Sequence, residues 1–266
     1  MLRLASGRSE GYEGRMKNIV SACLVIIGNE ILSGRTQDKN LAHLAIKLNE
    51  AGIQLREVRV IPDIEQTIVD TINTVRVQFD YIFTTGGIGP THDDITSASI
   101  SKAFGVAMHR HPEAEAALRG HYSSTDLNEA RLKMADVPIG SELIPNAVST
   151  APGFRIGNVF VMAGVPKIMQ AMLDAIIPHL KGGATVLSTS IATNLLEGTI
   201  AAGLTEIQNR YMDIDIGSYP TYEAASGYRT TLVLRSPDAA RNDAARAEIA
   251  TLIAHCGGQV IETPVA

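Results

Sequence analysis

Within its first hundred residues the chain alternates between two hydrophobic periodicities, and this restricts the fold more than any other feature. Residues 19–28, "IVSACLVIIG", are a β-branched apolar run of strand type. In "KNLAHLAIKLNEA", residues 39–51, Leu41, Leu44, Ala45 and Leu48 share one helical face, and Gly52 stops the helix. "IQLREVRVIP" then alternates as a second strand, and "DIEQTIVDTINTVRVQF" puts Ile64, Ile68, Ile72 and Val75 on one helical stripe. "DYIFTT" is a third strand and "DITSASISKAFG" a further helix. Strand and helix in this rhythm predict an α/β fold: a doubly wound, mostly parallel sheet with right-handed crossovers and helices on both faces. A chain that is 45% hydrophobic, with 5% aromatic residues and no tryptophan, supplies the Ile, Val, Leu and Ala core that such a sheet uses. Ligands of such sheets bind at the carboxyl ends of the strands, at a switch point in strand order.

Further along, residues 112–135 read as helix broken around "HYSSTD". Short β pieces follow, then a strand at 158–162 and a helix from Pro166 onward. "KGG" at 181–183 reads as a linker. The tail has a different order, strand-helix-strand-strand-helix-strand, which predicts a small α+β ferredoxin-like domain. It resembles a KH module but has no basic GXXG loop, which argues against RNA as its ligand. The expected organisation is a disordered leader at 1–17, with Met16 as an alternative start, a phosphate- or nucleotide-binding domain at 18–180, and the small domain at 184–266.

A formal charge of −5 and the lack of any long basic run argue against nucleic acid or an anionic membrane as partner. The two cysteines, Cys23 and Cys256, have no metal-type spacing, and no apolar run is long enough to cross a bilayer. A reduced, cytoplasmic protein is expected.

Three polar clusters interrupt the α/β pattern. In "GNEILSGRTQDKN", residues 28–40, Glu30 sits among apolar neighbours and needs a partner if buried. Asp38 there reads equally as a helix cap or as a ligand group. "YIFTTGGIGPTHDDIT", residues 81–96, runs from a strand into glycines and two adjacent aspartates. Gly86, Gly87 and Gly89 allow close approach of a ligand, and their N–H groups, with the start of the following helix, form an anion cradle. One aspartate is explained as a cap; Asp93 and Asp94 together are explained by a divalent cation that bridges carboxylate and phosphate. Mg²⁺, Mn²⁺ and Co²⁺ are each compatible with oxygen ligands. In "NAVSTAPGF", residues 146–154, Ser149 and Thr150 are hydroxyl donors for phosphate or parts of a packing turn, and Lys167 near a helix start is a positive charge or a solvated side chain.

"GNEILSGRTQDKN", "TTGGIGPTHDDIT", "NAVSTAPGF" and "AGVP" together resemble the molybdenum-cofactor-biosynthesis (MoaB/MogA-like) domain, in its competence/damage-inducible protein A branch. "GGIGPTHDD" is also similar to the FAD-hydrolysing N-terminal domain of eukaryotic FAD synthases. The resemblance covers about residues 19–180. It implies a metal-dependent pyrophosphatase acting on a nucleotide diphosphate such as ADP-ribose or FAD. Under it Asp94, Asp93 and Asp63 are catalytic, Glu30, Asp38 and Asp94 hold the metal, and Gly86, Gly87, Gly89, Thr91, Ser149, Thr150 and Lys167 bind substrate. The wider family implies one alternative, a molybdopterin-binding protein of cofactor biosynthesis; a third reading, a non-catalytic nucleotide-binding regulatory module, draws its support from Asn29 and Ala163. A homo-oligomer is expected by the same resemblance. Two positions depart from the branch: Asn29 stands where aspartate is usual, and Ala163 where proline is usual.

Overall fold

A computed structural model describes residues 19–123, 125–221 and 227–261. The expected leader lies outside the described residues. The chain divides into two compact units, Met1–Ala184 and Thr185–Ala266.

The first unit is built on β1 (Val20–Ile27), β2 (Ile53–Ile61), β3 (Tyr81–Thr85), β6 (Glu142–Ile144), β7 (Gly153–Ile156) and β8 (Val159–Met162), in the order β2-β1-β3-β8-β7-β6. The β1/β2, β1/β3 and β3/β8 pairs are parallel. The β7/β8 and β6/β7 pairs are antiparallel. The helices are the short α1 (Asn29–Leu32), α2 (Asn40–Glu50), α3 (Glu65–Val75), α4 (Thr96–Phe104), α5 (Pro112–His121), α6 (Glu129–Leu132) and α7 (Pro166–Ile176). A small antiparallel pair, β4 (Met108–Arg110) with β5 (Asp136–Pro138), stands apart from the main sheet.

Successive β1 residues serve opposite faces of the sheet, which is why this strand is apolar throughout. Cys23, Val25 and Ile27 pack with Ile68, Ile72 and Val75 of α3 and Ile100 of α4. Ala22, Leu24 and Ile26 pack with Leu44 and Leu48 of α2 and Met169, Met172 and Leu173 of α7. The connection from β1 to β2 therefore runs over one face and that from β2 to β3 over the other. Strand order reverses at β1, and the switch point lies between the carboxyl ends of β1 and β3. The stripe read on α3 is buried at Ile68, Ile72 and Val75, while Ile64, ahead of the first turn, is 54% exposed.

The "KGG" segment is docked onto the first unit. Gly183 N–H donates to Gly52 O at 2.9 Å, and the Tyr81 hydroxyl accepts from Lys181 N–H at 3.0 Å. A Cβ on Gly182 would lie 1.7 Å from the Ala51 carbonyl oxygen, so this contact admits only glycine. The residues read as a linker thus lie just ahead of the boundary between the two units and are packed on the first.

The second unit contains β9 (Leu187–Thr193), α8 (Glu197–Arg210), β10 (Asp215–Pro220), β11 (Thr230–Ser236), α9 (Ala239–His255) and β12 (Val260–Ile261). Its antiparallel sheet has the order β10-β11-β9-β12. Ile200 and Ile207 of α8 and Ala245, Ile249 and Ile253 of α9 bury their side chains with Ile191, Leu232 and Leu234 of the sheet. This is the small α+β domain with an antiparallel sheet that the element order predicted.

Candidate functional site

Four segments meet at one edge of the main sheet: those after the carboxyl ends of β1, β2, β3 and β8. Because β7 runs antiparallel to β8, residues 145–152, which lead into it, lie at this edge too. The sequence clusters around 28–40, 86–95 and 146–154 are therefore brought together by topology.

The turn after β3 is the centre of the edge. Gly86 and Gly87 have φ of 103° and 70°, a conformation that side chains disfavour. Gly86 N–H donates to Met162 O at 3.2 Å, and a Cβ on Gly86 would lie 2.1 Å from the Ile27 carbonyl oxygen. The turn is thus wedged into the crevice between β1 and β3. On Gly87 a Cβ would lie 2.1 Å from Thr96 Oγ1, and Thr96 N–H donates to Gly87 O at 3.0 Å. Both glycines are required by protein packing as well as by any ligand that approaches them. Gly164, after β8, comes within 3.3 Å of Gly86 Cα when given a Cβ, and its carbonyl accepts from Asn40 Nδ2 at 2.8 Å. Asn40 Oδ1, Thr85 Oγ1 and Thr96 Oγ1 are buried without a hydrogen-bond partner. Buried polar atoms left in this state around a glycine turn are what a polar ligand or ordered water satisfies.

The acidic residues divide. Asp94 Oδ2 accepts from Thr91 N–H at 2.8 Å and from the Thr91 hydroxyl. Its carboxylate also lies against Gly89, where a Cβ would sit 2.6 Å from Oδ2. Neither Asp93 nor Asp94 makes the side-chain cap of α4, so capping does not account for the pair. The Thr91 hydroxyl, close beside both carboxylates, and Asp93's own N–H hold the Asp93 carboxyl below its usual range. Asp38 Oδ1 accepts from Asn40 N–H at 3.1 Å and Leu41 N–H at 2.8 Å, so it serves as the cap of α2. Asp63 does not cap α3; its carboxylate reaches across the sheet edge and accepts from Asn29 N–H at 2.9 Å. Glu30 is exposed on α1 and rests over Gly28, so the expectation of a buried carboxylate is corrected: its neighbour Leu32 is itself 52% exposed.

Among the described residues no three His, Cys, Asp or Glu side chains group closely enough to hold a metal ion. Glu30, Asp38 and Asp94 occupy the same edge without converging into one ligand set.

The loop into β7 is organised by Asn146. Its Nδ2 donates to Ser149 Oγ at 2.7 Å and Ala151 O at 2.8 Å, and its Oδ1 accepts from Val148 N–H at 2.9 Å and Ser149 N–H at 3.2 Å. Ser149 Oγ accepts in this bond, which leaves its own proton to donate. Thr150 has φ of 68°, and it is the only non-glycine residue with positive φ among those described. For a β-branched residue this is a strained position, of a kind that clusters at ligand sites. Lys167 is exposed in the first turn of α7.

Several residues that shape this edge were not picked out from sequence: Asn40, Thr96, Asn146 and Lys133. The Lys133 ammonium donates to the carbonyls of Thr91 and Asp94, both at 2.9 Å. No local pattern marks it, because its partners lie 39 and 42 residues away.

Comparison with known proteins agrees with this architecture. The family described as probable molybdopterin binding domain matches residues 23–182, and that described as FAD synthase, middle domain, matches residues 185–256. A protein of Pyrobaculum calidifontis is 33% identical over 211 residues, which are 75% of this chain and 80% of that protein. A probable FAD synthase of Caenorhabditis elegans is 31% identical over 232 residues; the match takes in 77% of this chain and 45% of that protein, so the chain spans less than half of its length. The crystal structure of the protein CinA from Thermoplasma acidophilum is similar with a TM-score of 0.57 and 35% identity, over 61% of this chain and 98% of that one. By fold, by the residues at the sheet edge and by these matches, the chain belongs to the probable molybdopterin binding domain family, with likeness to CinA and to FAD synthase.

Proposed function

We propose that the first unit is a pyrophosphatase for a nucleotide diphosphate such as ADP-ribose or FAD. The observation that carries this reading is the Gly86–Gly87 turn in the β1–β3 crevice with the Asp94 carboxylate held over Gly89 beside it. N–H groups of a glycine turn at a sheet switch point suit phosphate oxygens, although that of Gly86 is taken by the Met162 carbonyl and leaves the cradle to the turn's other N–H groups. Ser149 and Thr150 add hydroxyl donors, the Thr91 hydroxyl being engaged with the Asp94 carboxylate, and Lys167 adds positive charge at the same edge. Asp94, with Asp93 and Asp63, supplies carboxylates that orient water and accept its proton. Likeness to FAD synthase in both units supports a nucleotide as the carrier of the diphosphate.

A resident metal centre does not fit these residues, since Asp38 is engaged as a helix cap and no three-ligand cluster forms among the described residues. An ion brought in on the diphosphate does fit, because Mg²⁺ commonly takes one or two carboxylates and completes its shell with phosphate oxygens and water. Glu30 and Asp94 would be its protein ligands, and the ion would supply charge neutralisation and a more acidic water.

The test is a phosphatase-coupled phosphate-release assay on a panel that includes ADP-ribose and FAD, with Mg²⁺, Mn²⁺ or Co²⁺. Turnover on one of them supports the reading, and no turnover by folded protein with any metal overturns it. A second reading, a pterin-binding protein of molybdenum-cofactor biosynthesis, is favoured by the family description matched over residues 23–182. It uses the same edge, and rescue of a molybdoenzyme-deficient strain separates it from the first. Tight nucleotide binding by calorimetry without hydrolysis indicates instead a non-catalytic module.

A further inference from the structure

The acidic turn has an anchor outside its own segment. Thr91, His92 and Asp93 are exposed, and the turn's own bonds are short-range ones: Asp94 N–H to Thr91 O at 3.3 Å, Thr91 to the Asp94 carboxylate, and Thr91 with Asp93's own N–H beside the Asp93 carboxylate. Lys133 is half-buried and places one ammonium 2.9 Å from both the Thr91 and the Asp94 carbonyl oxygens. A solvated surface lysine does not do this. Its own base is rigid: Leu132 and Ala135 are 4% and 0% exposed, Ala135 O accepts from His111 N–H at 2.9 Å, and the adjacent Asp136 is held by Arg110 Nε at 3.0 Å. Lys133 also lines, with Ile88, Gly89, Asp94, Met108 and Asp136, a cleft of about 210 Å³.

We propose that Lys133 is the positioning residue of this turn: by drawing the Thr91 and Asp94 carbonyls to one ammonium it keeps the Asp94 carboxylate folded over Gly89. A compact ammonium with three donors can be shared between two carbonyls, and hydrogen bonds from a charged donor are the stronger kind. With Oδ2 of Asp94 held by Thr91, Oδ1 is the oxygen presented to a ligand. That this oxygen then serves hydrolysis of a diphosphate rests on the pyrophosphatase reading; that the lysine sets its place does not.

Two variants separate the possibilities. Lys133→Met keeps the apolar stem and removes the charge, whereas Lys133→Arg keeps donors able to reach both carbonyls. Amide hydrogen exchange at Thr91 and Asp94, read by NMR on the full chain, is expected to rise at least about fivefold in Lys133→Met, while Ile82 to Thr85 are unchanged. Hydrolysis of ADP-ribose with Mg²⁺ is expected to lose at least about tenfold in kcat with KM changed less than about threefold, the pattern of an interaction felt in the transition state. Lys133→Arg should restore most of both. Unchanged exchange at the turn overturns the proposal, as does acceleration spread evenly over the first unit. A loosened turn with wild-type kcat overturns it too. Should the wild-type protein hydrolyse no substrate, the pyrophosphatase reading falls, and the exchange data alone decide the role of Lys133.

Discussion

Gly86 and Ile27 touch at the bottom of the crevice between β1 and β3: a Cβ on Gly86 would lie 2.1 Å from the Ile27 carbonyl oxygen. The obstacle is backbone, and φ at Gly86 is 103°. Gly86→Ala should therefore destabilise the first unit by about 2 kcal/mol or more, beyond the usual cost of a positive φ. Gly87→Val meets the buried Thr96 side chain and places a β-branched residue at φ of 70°. It should destabilise the first unit by about 2 kcal/mol or more and abolish phosphate binding. Urea denaturation and calorimetry with ADP-ribose check both.

Asp94→Asn keeps an oxygen that can accept from Thr91 N–H and hydroxyl, so the turn should persist and stability should change by roughly 1 kcal/mol or less. The lost charge should lower ADP-ribose hydrolysis by at least about tenfold, with part recovered by added Mg²⁺. Asp93→Asn, at an exposed carboxylate, should have the smaller effect. Steady-state kinetics across a metal titration decides; near-normal turnover of Asp94→Asn at low metal would remove Asp94 from the mechanism.

Asp38 gives the opposite pattern. Its carboxylate receives two N–H groups at the start of α2, so Asp38→Ala should cost about 1 kcal/mol, while Asp38→Asn, a comparable cap, should cost almost nothing. Hydrolysis should be retained by Asp38→Asn. A strong loss of turnover in that variant would make Asp38 a ligand in addition to a cap.

At Thr150 stability and binding should trade against each other. Thr150→Gly removes the strain of a β-branched residue at φ of 68° and adds chain entropy to the unfolded state. The balance should favour the variant by roughly 0.5–1 kcal/mol. Loss of the hydroxyl should weaken nucleotide binding, which thermal melts with and without ADP-ribose would reveal.

In the second unit Glu248 accepts from Arg210 Nε at 3.1 Å and from the Tyr211 hydroxyl at 2.8 Å. The Arg210 guanidinium first, then Tyr211, hold the Glu248 carboxyl below its usual range. Since the folded-state value is the lower one, the stabilisation is present above the unfolded-state pKa, about 4.3, and is lost as pH falls through the folded-state value. Glu248→Gln should flatten the acid limb of a pH-dependent melt of the full chain. An unaltered limb would place the acid sensitivity elsewhere.

The long elements were legible because each spans two or more periods of its pattern: β1, α2 and β2 lie within a residue or two of where periodicity put them, and α3 starts within two residues but ends four earlier, at Val75. β4, β5, β6 and β7 were not, since three- or four-residue strands contain too few alternations to fix direction or partner. The glycine turn was readable because its conformation is a local demand. The carboxylates were not separable in the same way. Asp63 acts on the N–H of Asn29, one strand over, and Asp38 and Asp94 differ only in which nearby donors they receive. Glu30 misled because apolar neighbours in a four-residue helix need not be buried. The pairing of Lys133 with Thr91 and Asp94 exists only after β4, α5 and β5 have folded back, so no window of sequence contains it.

The docked glycines at 182 and 183 invert the usual use of such residues. Glycine in a connector ordinarily raises the number of conformations a tether can sample. Here the missing side chains let two backbones close on each other, and the chain leaves the first unit from one fixed point. A substitution at Gly182 that forces the contact apart should therefore show first in the first unit itself, at Ala51 and the end of α2, where the backbone partner is lost.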